Sequence, residues 1–141
     1  MIIQRWQNLL LFIALILVCV FCAMPYAVID SGIAGSEPVK VFACEAPVFL
    51  IVNICAAVMI AVALFCFRNL KRQMGLTIFA IVLMIASGVT CGFIVFNTMP
   101  EAQLVWDGGV VLLIAALLCC ILAYRFMGKD KKTLESYDRL R

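Results

Sequence analysis

Four stretches of this chain carry no charge at all. They span residues 6–29, 46–67, 73–100 and 108–124, and the charged residues are gathered into the short segments between them. A helix needs roughly 20 residues to cross about 30 Å of hydrocarbon, and the first three runs exceed that. The fourth has 17 residues and reaches the length only if residues 104–106 join it. Across 141 residues, 67% are hydrophobic and 13% charged. A soluble fold this small cannot hide so much apolar surface. In lipid the backbone must satisfy itself, as helices or as a closed barrel. Barrel strands alternate apolar and polar residues, whereas residues 9–17 and 110–118 are apolar without a break. The expectation is an all-α membrane protein: an antiparallel bundle of four helices at about 6–27, 47–67, 74–97 and 104–127. Residues 128–141 form a tail expected to be helical.

The charges assign sides. Arg5, then Arg68, Lys71 and Arg72, then residues 125–141 fall in alternate segments. Together they hold ten of the eleven basic residues against three acids, net +7. The other two loops hold Lys40 against five acids, net −4. The positive-inside rule therefore places both termini and the 68–73 turn in the cytoplasm, as expected for a bacterial inner-membrane protein. Trp6 and Tyr124 then lie at the inner interface, and Tyr26 and Trp106 at the outer one. The first apolar run is longer than a signal-peptide core, so it reads as a retained span.

The first outer loop is punctuated by Gly32, Gly35 and Pro38. After them, Val39, Lys40, Val41 and Phe42 alternate, which admits a short hairpin with residues 26–29.

Membrane helices associate by close approach of small residues. Helix 2 offers Asn53, Ala57 and Ala61. Helix 3 offers Ser87 and Cys91 beside the GxxxG pair Gly88 and Gly92, and helix 4 offers Ala116 and Cys120. Internal packing is the favoured reading of the GxxxG, with a homo-oligomer seam through Gly88 and Gly92 as the alternative. Asn53 reads as a clasp between helices before it reads as part of a ligand pocket.

Chemistry is sparse. There is no His, which removes imidazole metal sites and Ser–His catalysis. No phosphate loop and no clustered basic face for nucleic acid is present. No catalytic, cofactor or metal residue is assigned, and no cofactor is called for. The eight cysteines are the one redox feature. Cys19 and Cys22 have the spacing of a redox pair, and Cys44 lies in the outer loop. With a quinone they compose a thiol oxidoreductase, the second reading, while Cys44 with Cys22 or Cys91 composes a structural disulfide. Against the enzyme, the neighbours of Cys19 and Cys22 are apolar and disfavour a thiolate. A small pore or transporter is the third reading. It is disfavoured because no charge is placed in the membrane interior, Asp107 and Arg125 lying near the ends of the fourth span.

The tail places Leu134, Tyr137 and Leu140 at spacing three, and Lys131, Glu135 and Arg139 at spacing four. Lys129, Lys131, Lys132, Arg139 and Arg141 are candidates for lipid headgroups, each contributing about 1 kcal/mol on an anionic surface. With Leu134, Tyr137 and Leu140 they also compose a docking handle for another membrane protein or a cytoplasmic one. The preferred function is a non-enzymatic accessory or scaffold subunit.

The opening Met1, Ile2, Ile3, Gln4, Arg5, Trp6, Gln7 and the ending Lys129, Asp130 through Ser136, Tyr137, Asp138, Arg139, Leu140, Arg141 resemble a known family. It comprises small four-span membrane proteins of Bacteroidota and is called domain of unknown function 4293. Its members begin with a Met-Ile-Gln-Arg-like start, so the second Ile here is a departure. The resemblance implies four spans in an inner membrane and supplies no activity or site residue.

Overall fold

The computed structural model describes residues 2–30, 39–42, 45–98, 103–106 and 108–139. In chain order these are α1 (Ile2–Ala23), β1 (Pro25–Asp30), β2 (Val39–Phe42), α2 (Pro47–Phe65), α3 (Leu70–Thr98), β3 (Gln103–Trp106) and α4 (Gly108–Arg139). Each helix is long and apolar enough to cross a membrane, and the protein is a multi-pass membrane protein.

The breaks have local causes. Pro25 biases the residue before it away from helix, so α1 ends at Ala23. Pro47 opens α2, where its missing N–H costs nothing. At the tight turn into α3, the Arg72 amide donates to Asn69 Oδ1 at 3.4 Å, a side-chain cap.

The helices form a cycle. α1 packs mainly on α4 and α2 mainly on α3, with α1 on α2 and α3 on α4 closing the ring. The inward positions alternate by three and four. They are Gln7, Leu11, Ala14, Val18 and Phe21 on α1, and Phe49, Asn53, Ala56, Ile60 and Ala63 on α2. On α3 they are Gln73, Thr77, Ala80, Met84, Ser87 and Cys91, and on α4 Leu113, Ala116, Cys120, Ala123 and Met127. That is the 3.5-residue period of left-handed bundles. Many buried residues are small, while Phe79, Phe93, Phe96 and Leu118 point outward. This is the arrangement expected where the surroundings are lipid.

The hairpin expected between the first two spans is present, with a third strand added. β1 is central, antiparallel to β2 on one side and to β3 on the other. The β1–β2 register shifts between Pro25 and Ala27, so Tyr26 is the bulged residue. A bulge breaks strict alternation, and Tyr26 and Ala27 are both buried, although adjacent.

The ends of the fourth helix differ from expectation. Residues 104–106 do not lengthen the span; they belong to β3, and α4 starts at Gly108. The length is made up at the other end, because α4 runs through Gly128 without a break. A helical glycine costs about 1 kcal/mol, which the flanking turns tolerate. Tail and span are one helix of 32 residues, about 48 Å long against a hydrocarbon layer of about 30 Å.

Candidate functional site

The polar groups in the bundle fall at three levels. In the half of the bundle nearer the sheet, one turn below Phe49, Ser87 donates to Asn53 Oδ1 at 2.9 Å, and Asn53 Nδ2 donates to the Phe49 carbonyl at 2.8 Å. Both side chains are fully buried. The pair ties α2 to α3. Truncating one partner strands the other, while replacing both removes the need for either. Asn53→Leu is expected to lower stability by about 1–2 kcal/mol, and the Asn53→Leu, Ser87→Ala double variant by less than the sum. Thermal unfolding of the four proteins in detergent checks this, and strict additivity would refute the bond.

At the end beneath the sheet, Tyr26 packs on one ring of an aromatic pair. Its centroid lies 5.2 Å from that of Phe49, which meets Phe21 edge-on at 5.8 Å. The Tyr26 hydroxyl has no hydrogen-bond partner among the described residues. Burial raises its pKa above the ordinary tyrosine value, with smaller contributions from Cys91 and Glu45. At the opposite end, Gln73 Nε2 donates to Asn8 Oδ1 at 2.9 Å, joining α3 to α1, and Thr77 donates to the Gln73 carbonyl at 2.8 Å. Gln7 and Gln73 are both buried. These two amides belong to no motif, and their only mark in the sequence is that each continues the phase of its helix's inward stripe.

The chain matches the family described as domain of unknown function 4293 over residues 3–140. It belongs to that family. Among curated proteins the chain has no match. The description of family 4293 names no activity, so the remaining candidates in this member rest on where the fold puts them.

Ser87, Cys91, Ala116 and Cys120 point inward, and Ala57 packs against the core from its edge. Ala61 is half-buried. Gly88 and Gly92 contradict the internal-packing expectation: a Cβ added at either meets nothing within 4 Å. The physical reason is helical phase, since Ser87 and Cys91 hold the inward positions and turn the glycines aside. Gly88 instead helps line an apolar groove of about 150 Å³ with Met84, Ile85, Leu113, Ile114 and Leu117.

Cys19 is exposed on the outer face of α1, and Cys22 is half-buried. Cys91 is a free thiol inside the bundle. Cys44 lies outside the described residues, as do Leu140 and Arg141.

Beyond the apolar part of α4 the side chains open to solvent. Leu134 is 55% exposed and Tyr137 68%. Lys131 meets Glu135 at 3.9 Å, an exposed pair contributing about 0.3–0.5 kcal/mol. Lys129 lies over the Phe126 ring at 5.8 Å.

Proposed function

We propose that this protein is a non-enzymatic accessory or scaffold subunit of a bacterial inner membrane, with both termini in the cytoplasm. Its α4 extension docks a membrane or cytoplasmic protein, while the basic residues around it rest on anionic headgroups. The observation that carries this reading is the unbroken course of α4 beyond the membrane thickness, with Leu134 and Tyr137 exposed one turn apart. A rigid helix continuous with a span holds an apolar pair at a set height above the bilayer. Recognition through such anchors is how helix-in-groove contacts work. The ten-to-one split of basic residues supports the orientation.

The test is purification from native cells in mild detergent, comparing the full chain with one truncated after Lys132. Loss of a co-purifying protein from the truncated chain, at equal expression, is the expected result. Identical co-purifying sets would overturn the proposal.

A further inference from the structure

Gln7 Oε1, Gln73 Oε1 and Asp130 Oδ2 are buried oxygens without a hydrogen-bond partner among the described residues. All three belong to the end of the bundle opposite the sheet. At the sheet end, Gly109 abuts Pro25, which sets the register of α4 on α1. Counting back along both helices puts Gln7 and Met127 each about 27 Å from that contact, with Asp130 one turn beyond. The bond from Gln73 to Asn8 brings α3 to the same level. Asp130 also continues the inward series of Cys120, Ala123 and Met127 at spacing three or four.

The leftover atoms are all acceptors. One Gln73 amide hydrogen is donated to Asn8, and the Thr77 hydroxyl donates to the Gln73 backbone carbonyl. Two of the cations at this end are engaged elsewhere, Lys129 over Phe126 and Lys131 with Glu135. Two amide carbonyls and a carboxylate call for a donor that brings several hydrogens and positive charge. A primary ammonium offers three N–H donors and no acceptor. About 27 Å from the sheet contact is also the depth at which headgroups meet a hydrocarbon layer of about 30 Å.

We propose that the inner end of the bundle binds a primary ammonium group between Gln7, Gln73 and Asp130. The group comes from a lipid headgroup such as that of phosphatidylethanolamine, or from a free amine. This site is separate from the docking role of α4, and the truncation after Lys132 leaves it intact.

Native mass spectrometry tests it on the full chain released from vesicles holding equal amounts of phosphatidylethanolamine and phosphatidylcholine. The latter's quaternary ammonium has no N–H to donate. Preferential retention of the ethanolamine lipid, several-fold over the choline lipid, is expected, with the preference lost in Asp130→Asn. Gln7→Leu, which keeps the bulk of the core position, is expected to weaken it as well. If methylammonium displaces the retained lipid the site takes free amines, and if it does not the headgroup is the specific ligand; both outcomes support the proposal. Equal retention of the two lipids, together with a thermal midpoint indifferent to methylammonium, would overturn it in favour of water at these oxygens. A preference unchanged in Asp130→Asn would overturn it too.

Discussion

Gly109→Ala is expected to destabilise the protein by about 2–3 kcal/mol, a large effect for one methyl group. A Cβ there would fall on the Pro25 carbonyl oxygen, with the Tyr26 Cα 3.1 Å away. Both obstacles are backbone, so no side-chain rotation relieves them. α4 would have to lift from β1, opening the sheet's seat on the bundle. The same substitution at Gly88 or Gly92 meets open space and is expected to stabilise by about 0.5–1 kcal/mol through helix propensity. Thermal midpoints of the three variants in one detergent decide the matter. A neutral Gly109→Ala would mean that α4 and β1 do not touch there.

Tyr26→Ala is expected to cost about 3–5 kcal/mol, because it empties a fully buried position packed on Phe49, which in turn rests edge-on against Phe21. Tyr26→Phe is expected to be neutral or slightly stabilising. The hydroxyl it removes is buried without a partner among the described residues, and so contributes a desolvation cost. The raised pKa adds a signature in pH. The folded chain keeps the phenol proton where the unfolded chain has released it. Stability from this group is therefore complete below the ordinary tyrosine value of 10.0 and falls as pH rises above it. The wild type should lose stability above pH 10.0 more steeply than Tyr26→Phe. Parallel pH profiles for the two would contradict the burial of that ring.

The spans were legible because charge spacing is a one-dimensional signal: a run free of charge either reaches the membrane thickness or it does not. The hairpin was legible for a similar reason, since Val39 to Phe42 alternate in plain view. β3 was not. Leu104, Val105 and Trp106 precede a run of only 17 uncharged residues, and their apolar character is the same whether they extend that span or form a strand. The paired Gly108 and Gly109 were the clue, for that is where α4 begins and where its backbone meets β1.

The site residues failed or succeeded by phase. Ser87 and Gly88 are neighbours on a list of small residues, yet they point some 100° apart, and only Ser87 reaches Asn53. Gln7 and Gln73 lie at the edges of uncharged runs, where polar residues usually mark a boundary. Carrying the series from Leu11 and Ala14 back to Gln7, and from Thr77 and Ala80 back to Gln73, puts both amides inside. Spacing of three and four carries that information, whereas composition does not.

The most direct test of the docking role is a photo-crosslinking amino acid at Tyr137, activated in living cells. Tyr137 is exposed on the part of α4 beyond its apolar stretch, so a partner seated there lies within reach. A discrete protein adduct is expected from position 137 and not from the lipid-facing position Val58. Adducts to lipid alone, or the same products from both positions, would contradict a docking role for α4.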